Sequence, residues 1–255
     1  MTERGFDELV AEAASASVEG WDFSWLDGRA TEARPSWGFS RALGYRMAGV
    51  QSSLDLQTGG GEVLAQVPSV PRLAVATESW APNLQKAQRL LGPRGIVVVN
   101  AAEEPPLPFA DDTFDLISSR HPVRVWWDEI ARVLAPGGSY FAQHVGPHSV
   151  FEVVEWFLGP QPEEVRQMRA PEADRVAAAE AGLEVVDLRY EETRMEFFDI
   201  GAVVYFLRKV IWIVPGFTVE AHLPRLRDLH EKITADGPFV AYSTRFLIEA
   251  RKPAA

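Results

Sequence analysis

A run of glycines directly after an apolar strand is the feature that most constrains the fold of this chain. Ser53-Leu54-Asp55-Leu56 has the composition of a short strand, and Gln57-Thr58 connects it to Gly59-Gly60-Gly61 and a helical stretch. A strand that leads through glycines into a helix brings bare backbone to the carboxyl edge of an α/β sheet, where a ligand can approach closely. The segment therefore predicts a ligand site at this edge.

Strand and helix signals alternate after this segment. Further strands are predicted at Leu73–Thr77, Ile96–Val99, Phe114–Ser118 and Tyr140–Gln143, and helices at Asn83–Leu91 and Trp126–Leu134. This alternation predicts an α/β fold with a parallel sheet that is covered on both faces. The near-continuous apolar strands agree, because parallel strands are buried on both sides.

We expect the 255 residues to form one domain, since this length suits a single large α/β unit. Residues 1–50 are expected to form an N-terminal helical lid, residues 51–147 a ligand-binding core and residues 148–182 a linker or second lid. Residues 183–255 would hold two closing strands, with a helical insertion at 196–237 before the last strand.

Composition excludes several classes of protein. The chain has 25 basic and 36 acidic residues, a net charge of -11 that disfavours a nucleic-acid partner without excluding a local basic groove. It has no cysteine, so a disulfide framework, a cysteine metal site and a thiol nucleophile are excluded. The apolar stretch 200–217 is interrupted by Arg208, Lys209 and Pro215, and the first residues are acidic. We expect a cytoplasmic protein without a membrane span.

An acidic residue stands where a nucleoside ligand would need one. Glu78 follows the second predicted strand, 17 positions after Gly61, and a carboxylate there can accept hydrogen bonds from ribose hydroxyls. A dinucleotide fingerprint would require another glycine where Leu64 stands, and no Gly-Lys-Ser/Thr follows the loop as in nucleotide-phosphate sites. NAD and nucleoside triphosphates are therefore disfavoured.

Four pieces of sequence carry a family resemblance. They are Asp55 with Gly59 and Gly61, then Glu78, then Leu107-Pro108-Phe109 followed by Phe114-Asp115-Leu116-Ile117, and last Leu134-Ala135-Pro136-Gly137-Gly138. In this order and spacing, residues 54–146 resemble the class I S-adenosylmethionine-dependent methyltransferases, whose first motif reads D/E-x-G-x-G-x-G. The chain is also similar over nearly its whole length to a type 11-like, actinobacterial-type subgroup, through segments such as Thr58–Glu62 and Ser119-Arg120-His121. This likeness names no substrate.

The resemblance implies a Rossmann-like, mostly parallel sheet of seven strands with a reversed final hairpin. It implies S-adenosylmethionine as cofactor and S-adenosylhomocysteine as product. The residues expected to bind the cofactor lie in the glycine loop, at the ends of the next strands and in the lid. They are Asp55, Gln57, Thr58, Gly59, Gly61, Glu78, Ser79, Ala101, Ala102, Glu103, Ser119 and Arg29. Arg29 would clamp the cofactor's carboxylate, because a guanidinium binds carboxylate in a bidentate manner; a solvated loop arginine is the alternative.

One position departs from the family motif. Gln57 replaces the first glycine, and if its backbone requires a positive φ, a side chain costs about 1–2 kcal/mol and crowds the methionine end of the cofactor. Two hypotheses remain open. Either this backbone tolerates glutamine, or cofactor binding is weakened or used for another purpose.

Two histidines are candidates for the catalytic base. His121 follows the predicted fourth strand and His144 ends the fifth, so both should lie at the ligand edge of the sheet. Histidine can remove a proton from a hydroxyl or amine near neutral pH, and the alternative for each is a structural, hydrogen-bonded histidine. The histidine spacing does not favour a metal site, and we expect none.

We therefore expect methyl transfer to an O, N or C atom of a small, partly apolar molecule by a monomer or homodimer. An RNA methyltransferase is an alternative, although the arginines of this chain are scattered along the sequence and do not form a basic cluster. A binding or dimerisation module without catalysis, in which Gln57 impairs cofactor capture, is another.

Overall fold

The structure is a computed structural model that describes residues 4–19, 22–101 and 104–254. Its strands are β1 (Ala30–Glu32), β2 (Ser52–Leu56), β3 (Leu73–Glu78), β4 (Val97–Asn100), β5 (Phe114–Arg120), β6 (Leu134–Val145), β7 (Glu184–Phe197) and β8 (Phe239–Arg251). Its α-helices are α1 (Phe6–Ser15), α2 (Phe39–Met47), α3 (Ala81–Leu91), α4 (Trp127–Val133), α5 (Phe151–Leu158), α6 (Glu163–Arg166), α7 (Pro171–Glu180), α8 (Ile200–Lys209) and α9 (Leu223–Asp236). Short 3₁₀ helices lie at Ser24–Leu26, Leu64–Gln66 and Gly92–Arg94.

The strands form a sheet in the order β1-β7-β8-β6-β5-β2-β3-β4, and the chain divides into two compact units. The sheet unit comprises Pro35–Gly146, Arg169–Glu191 and Arg245–Ala255. The helical unit comprises Met1–Arg34, Pro147–Met168 and Glu192–Thr244. β7 and β8 each contribute residues to both units.

In the sheet unit, β2 lies at the centre and pairs in parallel with β3 and β5. β4 extends the sheet beyond β3, and β6 extends it beyond β5, both in parallel, while β8 runs antiparallel to β6. All five residues of β2 are buried, as expected for a strand covered on both faces. Two apolar clusters lie on this sheet: one contains Leu54 and Tyr140, and the other contains Ala76 and Phe141.

The loop after β2 is shaped by left-handed backbone. Gly59 and Gly61 have φ of 63° and 83°, a conformation that side chains rarely adopt. A Cβ at Gly61 would also lie 2.8 Å from Cδ1 of Leu91 on α3, so this position has no space for a side chain. The glycine run thus lets the chain turn closely beneath α3 as it leaves the carboxyl end of β2.

The helical unit has a core of its own, in which α1 packs against α8. α8 is buried on nearly all sides, and the Asp199 carboxylate caps its first turn by accepting a 2.8 Å hydrogen bond from the Ala202 N–H. Trp25 stacks on Tyr205, with their ring centroids 4.6 Å apart. At the edge of this unit, β1 pairs antiparallel with β7 in the register Ala30↔Phe197.

The predicted α/β fold is confirmed, with one difference in strand number. The sheet has eight strands rather than seven, because the three residues of β1 add an outer strand beside β7. Residues 30–32 are half-buried or exposed, so they carry no apolar pattern that would reveal a strand. Helices α8 and α9 occupy the predicted insertion. Within the part of the chain that is described, every helix is too short or too polar to cross a lipid bilayer.

Candidate functional site

A narrow cleft lies in the sheet unit at the carboxyl ends of β2, β3 and β5. Most of its polar lining residues come from the strand ends, and most of its apolar lining residues come from the loop before α4, from α4 and from β6. Its lining residues are Leu56, Gln57, Thr77, Glu78, Ser79, Ala101, Leu107, Ser119, Pro122, Arg124, Val125, Trp126, Ile130 and Tyr140. Strand ends of an open α/β sheet are where such folds bind ligands.

The Glu78 carboxylate is held in one orientation at the end of β3. Its Oε1 accepts two hydrogen bonds of 2.9 Å, from the backbone N–H groups of Ser79 and Trp80. Among the described residues, no donor contacts Oε2, so this oxygen can accept hydrogen bonds from a ligand in the cleft. Glu78 thus presents a carboxylate oxygen at the end of β3, and its role toward a nucleoside stays a prediction.

Gln57 ties the glycine loop to the loop that follows β5. Its side-chain Nε2 donates to the carbonyl oxygen of Arg124 over 2.6 Å, and its Oε1 accepts from the Val123 N–H over 2.7 Å. The backbone φ of Gln57 is 54°, in the left-handed region. A strain of about 1–2 kcal/mol at this φ is offset by two hydrogen bonds worth about 1 kcal/mol each. The backbone therefore holds glutamine here, while the side chain forms part of the cleft wall.

Asp55 is buried on the other face of β2, since its neighbours Leu54 and Leu56 belong to the cluster beside the cleft. The Ser118 hydroxyl donates to Oδ1 of Asp55 over 2.5 Å. Burial raises the pKa of this carboxyl to about 6, because the charged form is poorly solvated there. Asp55 does not line the cleft; it supports the strand end from which the glycine loop departs.

His121 follows β5 directly and has a left-handed φ of 58°. Its Nε2 lies 2.8 Å from Nε2 of Gln143 on β6, and Oε1 of Gln143 accepts a 2.8 Å hydrogen bond from the Trp37 indole N–H. Burial is the main cause that keeps the pKa of His121 well below its usual value, and nearby arginine charges add to it.

His144 belongs to a separate buried network. Its Nδ1 lies 2.7 Å from Oδ2 of Asp174 on α7, and its Nε2 lies 2.9 Å from the Tyr140 hydroxyl. The Trp127 indole N–H donates to Oδ1 of the same aspartate over 3.3 Å. Because consecutive strand residues point to opposite faces, Gln143 and His144 serve opposite faces of the sheet. The structure thus places the two candidate histidines in different networks.

The remaining candidates fall into three groups. Ser79, Ala101 and Ser119 line the cleft, and Thr58, Gly59 and Gly61 form the adjacent loop. Ala102 and Glu103 lie outside the described residues. Arg29 belongs to the helical unit, where its Nη2 donates to Glu12 over 2.6 Å and its guanidinium lies 4.2 Å from the Trp25 ring centroid.

Sequence reasoning missed the apolar wall and the partners of both histidines. Trp126, Ile130 and Tyr140 line the cleft, but their spacing in the sequence is that of ordinary core residues. Trp37 and Asp174 lie 106 and 30 positions from the β6 residues that they contact, so no local pattern could have identified them.

Comparisons with known proteins agree with this geometry. Residues 54–142 match the model of a family described as a methyltransferase domain. A search of curated proteins finds no match to the chain. Among solved structures, a candidate methyltransferase from Bacillus halodurans C-125 is similar, with a TM-score of 0.58 and 20% identity over 84% of this chain and 98% of that one.

Two other solved structures share the fold. The YcgJ protein from Bacillus subtilis has a TM-score of 0.54 and 16% identity, covering 84% of this chain and 99% of that one. Phosphoethanolamine N-methyltransferase 2 from Haemonchus contortus, solved with phosphomonomethylethanolamine and S-adenosylhomocysteine, has a TM-score of 0.52 and 16% identity. That match covers 98% of this chain and 61% of the other. Residues 54–142 therefore match a methyltransferase domain, and the chain has the fold of the class I S-adenosylmethionine-dependent methyltransferases.

Proposed function

We propose that this protein transfers a methyl group from S-adenosylmethionine to an O, N or C atom of a small, partly apolar molecule. The observation that carries the proposal is the fixed carboxylate of Glu78, which lines the cleft at the carboxyl ends of the parallel strands. The family match over residues 54–142 supports the same reaction, since it includes the glycine loop and this glutamate.

The residues present fit the cofactor's chemistry. Glu78 would accept hydrogen bonds from the ribose hydroxyls, and the apolar wall at Val125, Trp126 and Ile130 would pack against a flat base. The glycine loop would allow the cofactor to approach the backbone. When bound, the cofactor supplies an electrophilic methyl group on a sulfonium.

The contribution of the protein to such a reaction is alignment in a site from which water is excluded. Gln57 fixes the loop of residues 121–126 against the glycine loop, so the wall formed by that loop does not have to be ordered when a ligand binds. Asp55 and Ser118 hold the two strand ends together beneath it. We assign positioning roles to these residues.

Two alternatives make different predictions. An RNA methyltransferase would need a basic track beside the cleft, which a net charge of -11 disfavours. A binding module without catalysis is favoured by one observation, namely that the Gln57 side chain occupies the wall of the cleft.

Incubation with S-adenosylmethionine labelled in its methyl group tests the reaction class. The protein is mixed with a small-molecule extract or with total RNA from the cells that make it, and label in each fraction is counted. We expect label in small molecules, and we expect Glu78→Gln to reduce it. Label in RNA would support the RNA methyltransferase alternative, and label in neither fraction would favour the binding module.

A further inference from the structure

We infer that Trp37, acting through Gln143, holds His121 as the neutral tautomer with its proton on Nδ1. This tautomer makes His121 a fixed hydrogen-bond donor, through Nδ1, at the end of β5, suited to an electron-rich oxygen of a ligand that binds there. His121 is then a positioning group for that oxygen, and a proton is not removed at its Nε2. The identity of the bound molecule rests on the proposed function, whereas the tautomer does not.

The indole nitrogen of Trp37 can only donate a hydrogen bond. Its N–H lies 2.8 Å from Oε1 of Gln143, and both residues are buried, with exposed fractions of 8% and 3%. If the Gln143 amide were turned by half a rotation, its NH₂ would face the indole N–H, and two buried donors would oppose each other. Trp37 therefore fixes which end of the amide faces His121.

The fixed amide then selects the tautomer of His121. The NH₂ of Gln143 lies 2.8 Å from Nε2 of the imidazole, so Nε2 must accept this hydrogen bond. A neutral imidazole carries one N–H, which is consequently on Nδ1. A proton added at Nε2 would face the NH₂ of Gln143, so the cation is disfavoured by hydrogen bonding in addition to burial.

The surrounding charges act in the same direction. Arg120 is the residue before His121, Arg169 precedes α7, and Arg245 lies on β8; all three lower the pKa of His121, and so does His144 on β6. A neutral hydrogen-bond donor is suited to an electron-rich oxygen, such as that of a carboxylate or a phenolate. Among residues 4–19, 22–101 and 104–254, no acceptor contacts Nδ1, so its N–H is available to such a group.

Nitrogen-15 NMR of the full chain, without cofactor or acceptor, tests the tautomer directly. The His121 signals are identified by their loss in His121→Gln, and spectra are recorded from about pH 5 to about pH 8. We expect a protonated Nδ1 and an unprotonated Nε2 throughout. A protonated Nε2, or ordinary titration in this range, would overturn the inference.

Trp37→Phe tests the role of the indole. Without its N–H, the Gln143 amide can rotate and offer Oε1 to His121, so we expect a protonated Nε2 and a pKa that moves up into the titration window. Trp127→Phe is the matched control, because it removes a buried indole N–H from the His144 network and should leave the His121 signals unchanged. Unchanged His121 signals in Trp37→Phe would contradict the inference.

A second variant covers the case in which Trp37→Phe does not fold. Gln143→Glu replaces the NH₂ with an oxygen that can only accept, so we expect a protonated Nε2 and a higher pKa for His121. Unchanged tautomer and pKa in this variant would overturn the inference. Because all spectra are taken without ligand, a protein that shows the expected tautomer but does not bind S-adenosylhomocysteine refutes the proposed function only.

Discussion

The side chain of Gln57 and the backbone of Val123 are joined by a hydrogen bond of 2.7 Å, although the two residues are 66 positions apart. With the second bond, from Nε2 of Gln57 to the Arg124 carbonyl oxygen, it fastens the loop after β5 to the loop after β2. The position at which the family motif has glycine thus carries a side chain that connects two walls of the cleft.

Gln57→Gly should release this connection with little change in overall stability. The variant loses two hydrogen bonds of about 1 kcal/mol each and relieves a left-handed φ that costs a similar amount. The Val123 amide should exchange its hydrogen about five- to tenfold faster, which hydrogen-exchange NMR measures.

Gln57→Glu is the matched control, because a carboxylate still accepts from the Val123 N–H but cannot donate to the Arg124 carbonyl oxygen. We expect protection of the Val123 amide to persist in this variant. If the Val123 amide loses protection equally in both variants, or keeps it in both, the two-point connection is contradicted.

Glu78→Gln should weaken binding of S-adenosylhomocysteine by about 10–100-fold. The variant keeps an oxygen for the Ser79 and Trp80 N–H groups but loses the charge, and hydrogen bonds to charged groups are worth about 1.5–3 kcal/mol. Isothermal titration calorimetry measures the change. Glu62→Gln is the control, because it removes a charge from an exposed ion pair with Lys86 beside the glycine loop. It should leave the affinity for S-adenosylhomocysteine within about twofold. Equal losses in both variants would argue against a ribose contact.

Asp55→Asn should change how stability depends on pH. Since burial raises the folded-state pKa of Asp55 to about 6 from an ordinary 3.8, the folded protein binds the extra proton between these values. The contribution of this Asp55 proton to the free energy of unfolding is complete below about pH 4 and is lost as pH rises through about 6.

The asparagine side chain does not ionise, so the variant lacks the pH-dependent loss of stability that Asp55 causes. Between about pH 4 and about pH 7, its free energy of unfolding should therefore rise by on the order of 1–3 kcal/mol relative to that of the wild type. Urea unfolding of both proteins at the two pH values measures the difference. A difference that does not depend on pH would show that Asp55 titrates normally.

Asp174→Ala should destabilise the protein by about 2 kcal/mol or more. It leaves His144 Nδ1 and the Trp127 indole N–H without an acceptor, and an unsatisfied buried donor costs about 1–3 kcal/mol. Asp174→Asn keeps one acceptor oxygen and should cost less. Chemical unfolding compares the two, and an alanine variant as stable as the asparagine variant would mean that the network contributes little.

The central strands and the loop between β2 and β3 could be predicted because their signals are local. A buried strand, a glycine run and an acidic residue at the next strand end all lie between Ser52 and Glu78. β1 could not be predicted, since its three residues lack an apolar pattern and form a strand only by pairing with β7.

The contacts of the site were equally hidden in the sequence. The motif showed that Gln57 was unusual, but its partners lie 66 and 67 positions away and are backbone atoms, which have no signature in the sequence. For the histidines, the sequence predicted their positions at strand ends. It could not predict that Gln143 contacts one of them, because that contact depends on the pairing of β5 with β6.

A thermal-shift titration with S-adenosylmethionine and S-adenosylhomocysteine, with NAD and ATP as controls, tests whether the protein binds the proposed cofactor. A ligand at 100-fold its dissociation constant adds about 2.7 kcal/mol, which corresponds to about 5–11 °C for a protein of this size. We predict a saturable shift with the first two ligands and none with the controls. No shift at millimolar concentrations of S-adenosylmethionine and S-adenosylhomocysteine would contradict the proposed function.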